Sequence, residues 1–421
     1  AVMVLLGDSM GCQQVLVPSD TLIDLTRLCE MQGRNLQALP PEDLRRLAKK
    51  HGVDSLAALP ILNDMNLLVD ERLVQQERVY LEVPGSDCCL ALSQAEFRKL
   101  VQQGKVERFT VPLAQLHDSE GDDRAAVTKA VQTFTTLRIK QRLEQTLEMP
   151  PLPDTAEKII NLRLNPNAGI NDLVKLVERD PSLAAQVVSW AASPYYAAPN
   201  GVNSVRDAIV RVLGFDLVIN LAIGLALGRA LDVPKDGAYG VNAYWVQSVY
   251  TAALMDGLAK AIDVNQRPQV GLCYLSGLLH DYGYLVLAHV FPPYFDVINR
   301  HLEANPHLNH SFVERHILNI TREQISSQLM ACWQMPEEVV TALRWQGNPT
   351  SADKHNRYAK LLFVATQLLR RNGMVYGPPE PIADSVWEEL GLTAEKAETV
   401  LQKVQEGEQE LQGIARTMSK K

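Results

Sequence analysis

The sequence predicts a multidomain protein in which an N-terminal α/β domain with a mixed sheet precedes an all-helical domain. The chain has 421 residues, which is too long for one ordinary hydrophobic core. Strand-like runs alternate with short helical patterns up to residue 117, whereas the apolar spacing after residue 149 is helical throughout. The stretch 117–123 between them is acidic and typical of turns, which indicates a domain boundary.

Residues 1–117 are expected to form the α/β domain. Strands are predicted at Val2–Leu6, Gln14–Val17, Asn66–Val69, Val79–Val83, Cys88–Leu92 and Arg108–Val111. Helices are predicted at Glu42–Lys50, at Ser93–Gln103 and after Ser19-Asp20, which resembles an N-cap ahead of Leu22, Leu25 and Leu28. Because the chain opens inside the first strand, we expect the natural protein to begin upstream of Ala1.

Residues 118–148 are predicted to be an acidic linker and a connecting helix, Arg124 to Leu147. Its basic residues, from Lys129 to Arg142, favour a solvated face, with a nucleic-acid-binding stripe as the alternative. Helices then fill the domain 149–350, and those of residues 351–421 are expected to pack on it. Across both regions, helices are predicted after Asp180-Pro181, from Ser204 with an interruption at Gly214, and at Tyr239–Ile262, Gln269–Val290, Thr321–Trp333, Pro336–Trp345, Lys354–Arg371 and Asp384–Arg416.

The composition is that of a soluble globular protein, with 46% hydrophobic and 21% charged residues. A net charge of −8 argues against broad binding to nucleic acids or anionic membranes. The longest uncharged apolar run, Leu217–Gly228, is shorter than the roughly 20 residues of a membrane span. The six cysteines form no Cys-x-x-Cys pair, which indicates reduced thiols and a cytoplasmic location.

A series of short motifs runs in order through residues 147–283. They are Leu147–Pro153, Asp180–Leu183, Ala191–Tyr196, Ser204–Ile209, Leu213-Gly214 and Gly277–Gly283. These motifs resemble the HDOD family of bacterial signalling domains, an all-helical family related to the HD phosphohydrolases. The resemblance implies a regulatory protein that works by binding.

The same resemblance gives the His280-Asp281 pair the position of metal ligands. A catalytic HD relative would hold its ion with a further histidine and a distant aspartate, but Gln247 and Thr366 stand at those positions. Arg322 and the Trp345-Gln346 pair stand where two-metal relatives have histidines. An arginine would repel a cation, so the pair is interpreted as vestigial, and we expect no metal and no cofactor.

Five other histidines are candidates for substitute ligands. They are His289, His301, His307, His310 and His316. His289 is expected to lie two helical turns beyond Asp281, too far to share its ion. The other four fall in a polar stretch and are expected at the surface.

The N-terminal motifs Val15–Leu25, Asn66–Asp70 and Val79–Glu82 resemble the YbaK-like aminoacyl-tRNA deacylases. That family relies on a strand lysine and a glycine-rich loop, and the nearest positions here are Met3, or a residue beside it, and Gly52–Pro60. A methionine can neither orient a carbonyl nor pair with a phosphate. We therefore expect a degenerate domain that is retained for binding.

These features predict a non-enzymatic, cytoplasmic bacterial signal-transduction protein whose helical domain binds its partner. The expected ligand groove is lined by Gln247, His280, Asp281, Arg322 and Gln346, with Arg322 available to pair with a phosphate. Signalling proteins, a nucleotide or another small ligand are the expected partners; a membrane and nucleic acid are not. The alternatives are a metal-dependent HD-type phosphohydrolase and an aminoacyl-tRNA deacylase.

Overall fold

The chain folds into two compact units. The first comprises Ala1–Glu120 and Pro293–Asn319, and the second comprises Gly121–Pro292 and Ile320–Lys421. The computed structural model describes residues 1–50, 65–82, 88–116, 122–130, 154–196, 202, 204–229, 231, 240–290 and 292–419. The loop 52–60 and the predicted connecting helix beyond residue 130 lie outside these ranges.

The first unit contains the predicted mixed sheet. Its strands are β1 (Val2–Asp8), β2 (Gly11–Val17), β3 (Thr21–Ile23), β4 (Gln37–Ala38), β5 (Asn66–Asp70), β6 (Arg78–Glu82), β7 (Cys89–Ser93), β8 (Lys105–Glu107) and β9 (Thr110–Pro112). Five of them form one sheet in the order β4-β1-β2-β5-β8, with β3-β9 and β6-β7 as separate antiparallel pairs. Within the sheet β1 is antiparallel to β2 and β4, whereas β5 is parallel to β2 and β8.

Both faces of this sheet are buried. Side chains alternate along a strand, so Val15 and Val17 of β2 join one apolar cluster with Phe109. Leu16 points the other way and joins a second cluster with Phe97. The uninterrupted apolar run Val15–Val17 of β2 is consistent with this two-sided burial.

Helices make up the rest of the described chain. They are α1 (Leu25–Gln32), α2 (Pro41–Lys50), α3 (Glu71–Gln75), α4 (Gln94–Leu100), α5 (123–130), α6 (Asp154–Leu164), α7 (Ile170–Glu178), α8 (Pro181–Ala191), α9 (Val205–Asp207) with the π-helical turn Ala208–Leu213, α10 (Phe215–Arg229), α11 (Val241–Ala261), α12 (Val270–Leu279), α13 (Tyr282–Val290), α14 (Pro292–Ala304), α15 (His310–Leu318), α16 (Arg322–Cys332), α17 (Glu337–Trp345), α18 (Asn356–Arg371), α19 (Asp384–Leu390), α20 (Ala394–Glu406) and α21 (Glu408–Met418). The second unit shows no strand in the part of it that the structure describes.

The start of α1 differs from the sequence prediction. The N-cap predicted at Ser19-Asp20 is wrong, because Thr21–Ile23 form β3 and pair with β9. Helix α1 begins after Asp24, whose Oδ1 accepts a hydrogen bond from the Arg27 amide at 3.0 Å. Strand pairing therefore overrides the helical spacing of the first apolar residues and moves the cap four residues along the chain.

A helical hairpin from the second half of the sequence, α14 and α15, packs in the first unit. The sequence predicted 149–350 as one continuous domain, and the packing departs from that prediction over residues 293–319. The Asn305 side chain accepts a hydrogen bond from the Ile23 amide at 2.7 Å and donates one to the Ile23 carbonyl at 3.1 Å. Ala304 joins the apolar cluster that contains Leu28, so the hairpin is part of this core.

The second unit is built around the long helix α11. It packs against α12, α18, α20 and α21, which places the helices of residues 351–421 on the same core. The sequence predicted one helix over Gln269–Val290, whereas the chain breaks at His280-Asp281 between α12 and α13.

Within the described residues, no single helix is both long and apolar enough to cross a membrane. One bent pair, Val205–Leu213 and Phe215–Gly228, passes that test together by length and composition alone, with an angle of 119° between its helices.

Candidate functional site

The His280-Asp281 pair lies at the break between α12 and α13, and a glycine stands on either side of it. A Cβ on Gly277 would lie 2.7 Å from the Ala252 Cα of α11. A Cβ on Gly283 would lie 2.1 Å from the Arg322 carbonyl oxygen of α16. Only glycine permits these close approaches, so the two glycines bring α11 and α16 against the pair.

Asp281 is bound by Arg322, the first residue of α16. The Arg322 Nη1 donates to Asp281 Oδ1 at 2.9 Å and to Oδ2 at 3.0 Å. The guanidinium also lies over the Tyr284 ring, 4.6 Å from its centroid, a favourable cation–π geometry. The arginine side chain is 7% exposed and the aspartate side chain 23%, so the pair is largely removed from water.

His280 and Gln346 also meet. The His280 Nδ1 lies 2.8 Å from the Gly277 carbonyl oxygen, which makes this nitrogen the proton donor of the ring. The Gln346 Nε2 donates to the His280 carbonyl oxygen at 2.7 Å. Both side chains are buried, and Gln346 fixes the backbone of the helix break.

Gln247 lies in a different environment. Its Oε1 accepts a hydrogen bond from the Tyr376 amide at 2.9 Å. It lines a cleft of about 620 Å³, together with Asn242, Ala243, Val246, Gly373, Met374, Val375, Tyr376, Gln412, Arg416 and Ser419. Among the five predicted groove residues, Gln247 is the one that the structure places in this cleft.

Thr366 stands on α18, at the position expected for the distant aspartate. Its hydroxyl lies within hydrogen-bonding distance of the Leu362 and Phe363 carbonyl oxygens, at 3.1 and 2.9 Å. A hydroxyl that donates to its own helix offers a metal little.

Sequence reasoning missed Arg370, which follows Thr366 by one helical turn. Burial lowers the pKa of Arg370, opposed by the negative charges of Glu380, Asp281 and Glu323. A second guanidinium therefore lies in the electrostatic field of Asp281. The i, i+4 spacing from Thr366 was the available signal, because such residues share a helix face.

Asp123 is a second missed residue. Its Oδ1 accepts hydrogen bonds from Gln324 Nε2 at 2.7 Å and from Arg344 Nη2 at 3.1 Å. Arg344 Nε contacts its other oxygen. This contact ties the start of α5 to α16 and α17, and so supports the helix that carries Arg322.

The residues at these positions do not fit a divalent ion. A hard or borderline cation needs several convergent oxygen and nitrogen donors. Here the Asp281 carboxylate is bonded to the Arg322 guanidinium. Gln247 and Thr366, which the sequence prediction places at the remaining ligand positions, bond to backbone groups. Arg322 supplies the positive charge that an ion would bring, and it would oppose the entry of one.

In the first unit, Met3 lies on β1 opposite Leu16 of β2. Its side chain is partly buried against the apolar cluster that contains Phe97. The thioether thus contributes to packing, and the position carries no group that could orient a carbonyl.

The histidines of the α14–α15 hairpin also require a correction. The expected surface position of His301 is wrong, because it is 3% exposed. Its Nδ1 lies 2.8 Å from the Val297 carbonyl oxygen, whereas the partly buried His307 places Nε2 3.1 Å from the Thr21 carbonyl oxygen. Packing of the hairpin against the first unit buries these side chains, which their polar sequence context does not reveal.

Two family models match the chain. The model described as the HDOD domain matches residues 149–349, and the model described as the aminoacyl-tRNA editing domain matches residues 2–100. The comparison with curated proteins gave no match.

Several solved structures are similar to the chain. A candidate signal transduction protein from Marinobacter aquaeolei VT8 is 45% identical with a TM-score of 0.91, covering 99% of this chain and 93% of that one. An HDOD domain protein of unknown function from Geobacter sulfurreducens is 17% identical with a TM-score of 0.55, covering 69% and 99%. A candidate phosphohydrolase from Shewanella amazonensis SB2B is 19% identical with a TM-score of 0.53, covering 72% and 99%. The last two similarities concern the fold alone.

Proposed function

Because this chain belongs to the family of HDOD-domain proteins and carries an N-terminal domain of the aminoacyl-tRNA editing type, we propose that it acts in signal transduction by binding a partner, without metal-dependent hydrolysis. The contact between Arg322 and Asp281 is the observation that carries the proposal. Both carboxylate oxygens of Asp281 are within 3.0 Å of one guanidinium nitrogen.

The energetics of this contact favour a permanent ion pair. An ion that entered would have to break the charge-assisted hydrogen bonds of Asp281 and leave Arg322 with an uncompensated charge. In exchange, the ion would gain only the His280 and Asp281 side chains as ligands. Gln247 would not contribute, because its Oε1 accepts a hydrogen bond from the Tyr376 amide. The helical unit is therefore proposed to use the HD-type arrangement as a scaffold for binding.

Hydrolysis by purified protein tests this proposal. A generic phosphodiester such as bis(p-nitrophenyl) phosphate is incubated with the full chain and Mn²⁺ or Mg²⁺. We expect no turnover above the metal-only background in the natural sequence or in His280→Ala. Metal-dependent turnover that is lost in His280→Ala and retained in His289→Ala would contradict the proposal, because the control removes a histidine of α13 outside the pair.

We propose the cleft at Gln247 as the ligand site of the helical unit. Its volume of about 620 Å³ is within the range of roughly 300–1,000 Å³ for small-molecule sites. Amides from Asn242, Gln247 and Gln412 and the Arg416 guanidinium supply polar groups. An arginine beside amide groups favours a phosphate-bearing ligand such as a nucleotide.

Binding of nucleotides can be followed by intrinsic tryptophan fluorescence, because all five tryptophans lie in the second unit. A panel of mononucleotides and cyclic dinucleotides is screened for compounds that raise the unfolding temperature. We expect Arg416→Glu to abolish the shift given by such a compound, and Lys403→Glu, an exposed charge reversal on α20, to preserve it. A panel without any active compound, or a shift that survives Arg416→Glu, would count against a nucleotide site here.

The editing-type domain is proposed to contribute binding as well. Met3 packs against the apolar cluster of the sheet and cannot take the part of a lysine. Incubation with mischarged tRNA should therefore leave the aminoacyl bond intact. Hydrolysis by the purified chain above the spontaneous rate would restore the deacylase alternative.

A further inference from the structure

Three side chains with metal-binding groups converge within the first unit. They are Asp24, the N-cap of α1, His301 of α14 and His316 of α15, and their ligand atoms lie within 4.8 Å of one another. The Asp24 Oδ2 and the His316 Nε2 are 3.6 Å apart. We propose that these residues bind a divalent transition ion of the zinc type, a site that the sequence did not predict.

The chemistry of the three groups suits such an ion. Two imidazoles and one carboxylate form a donor set that zinc and its neighbours in the first transition row accept. Bonds of about 2.0–2.2 Å in a tetrahedral site place donor atoms about 3.3 Å apart. The separation between Asp24 and His316 needs to close by only a few tenths of an ångström, and the fourth position stays open for water.

His301 is oriented as a ligand before any ion arrives. Its Nδ1 lies 2.8 Å from the Val297 carbonyl oxygen, so the proton resides there and Nε2 keeps its lone pair. A backbone carbonyl on the other nitrogen is the usual outer partner of a metal-binding histidine. Burial lowers the pKa of His301, which keeps the imidazole neutral at neutral pH, as coordination requires.

Asp24 is likewise fixed by its role as a cap. Oδ1 accepts the Arg27 amide at 3.0 Å, which leaves Oδ2 directed to His316. Burial raises the pKa of Asp24, but the interactions with His316 and the Arg27 amide outweigh it, and the pKa lies below its ordinary value. The carboxylate is therefore ionised and available.

The surrounding hairpin holds the ligands in place. Asn305, one turn beyond His301, donates to the His301 carbonyl oxygen at 2.8 Å and bonds to Ile23, the neighbour of Asp24. The positive charge of Arg300 acts on His301, and its guanidinium donates to Asn35 Oδ1 at 2.7 Å and to the Leu36 carbonyl at 2.9 Å. An ion would connect α1 to both hairpin helices.

The test uses the full chain with its three exposed thiols removed by Cys88→Ser, Cys89→Ser and Cys332→Ser, since thiolates compete for zinc. After treatment with a chelator, Zn²⁺ binding is measured by equilibrium dialysis with elemental analysis. We expect about one Zn²⁺ per chain, and a loss of affinity of at least about tenfold in Asp24→Asn and in His316→Gln. Asp24→Asn keeps the N-cap because asparagine caps equally well, so its fold is retained.

His289→Gln is the matched control and should bind Zn²⁺ like the parent. Co²⁺ gives a second readout, since its visible spectrum should show nitrogen and oxygen ligation without a thiolate charge-transfer band. Equal Zn²⁺ affinity in Asp24→Asn, His316→Gln and the parent would overturn the proposal. Absence of bound Zn²⁺ in the parent, or a thiolate band with Co²⁺, would do the same.

Discussion

The guanidinium of Arg322 lies against both oxygens of Asp281 and over the ring of Tyr284. An arginine in this position is always charged, is well matched to a carboxylate and stacks on an aromatic face, which a lysine does not reproduce. At the scale of single residues, this one side chain holds Asp281 in an ion pair.

The ion pair predicts a large cost for removing its positive partner. Arg322→Gln leaves Asp281 largely buried without its counter-charge, which should lower the free energy of unfolding of the second unit by about 2–3 kcal/mol. Urea unfolding followed by tryptophan fluorescence measures this change, because the tryptophans report the second unit alone.

A double-mutant cycle separates the pair from the packing of the arginine side chain. Asp281→Asn combined with Arg322→Gln should recover part of the loss, since no uncompensated charge remains. If the effects of the two substitutions simply add, the two groups do not interact in solution, and the proposed replacement of a metal by Arg322 loses its basis.

At the scale of helices, the motif Gly277–Gly283 allows neighbouring helices to pack closely and also contains the His280-Asp281 pair. Gly277 admits the backbone of α11, and Gly283 admits that of α16 while its amide donates to Ser326 Oγ at 2.6 Å. The residues between the glycines form the break that presents Asp281 to Arg322. Helix packing and site geometry therefore depend on the same two positions.

Gly283→Ala should destabilise the second unit by about 2–3 kcal/mol or more, because overpacking forces the backbone to shift. Its Cβ would meet the Arg322 carbonyl oxygen at 2.1 Å. The matched control is Gly347→Ala, where nothing lies within 4 Å of the added carbon, and its effect should be close to zero. Equal unfolding midpoints in urea for the two variants would refute this account of the glycine.

At the scale of the whole molecule, the first unit is discontinuous in sequence. His307 connects the hairpin to β3 through the Thr21 carbonyl, 286 residues away. Its Nδ1 is buried and has no hydrogen-bond partner among the described residues. Protonation would create a buried donor without an acceptor, so burial lowers the pKa of His307 below its ordinary 6.5.

The lowered pKa of His307 predicts acid sensitivity of the first unit. Between the folded and the unfolded pKa the unfolded chain binds more protons, so stability is fully present above about pH 6.5 and falls as the pH decreases through that window. Amide hydrogen exchange in β1 and β2 as a function of pH measures this loss.

His307→Gln provides the comparison, because glutamine can still donate to the Thr21 carbonyl but does not titrate. Amide exchange in the variant should depend less on pH below about 6.5. Part of the pH dependence should remain, because burial also lowers the pKa of His301. An unchanged pH profile in the variant would show that His307 is not the titrating group.

The sequence located strands and helices wherever residues close together in the chain decide the conformation. Alternating or continuous apolar residues located β1, β2 and β5, and the Asp180-Pro181 pair located the start of α8. The predictions failed where partners distant in the chain decide. Pairing with β9 made Thr21–Ile23 a strand. The helix predicted over Gln269–Val290 is divided into α12 and α13, where α11 approaches Gly277 and α16 approaches Gly283.

The sequence by itself determined the two fold types and the family motifs, because these depend on residue identity and short spacing. The tertiary structure alone decided that Arg322 bonds to Asp281 and that Gln247 lines a separate cleft. It alone decided that the hairpin within Pro293–Asn319 completes the first unit. Such contacts join residues far apart in sequence, where neither periodicity nor propensity carries information about distance.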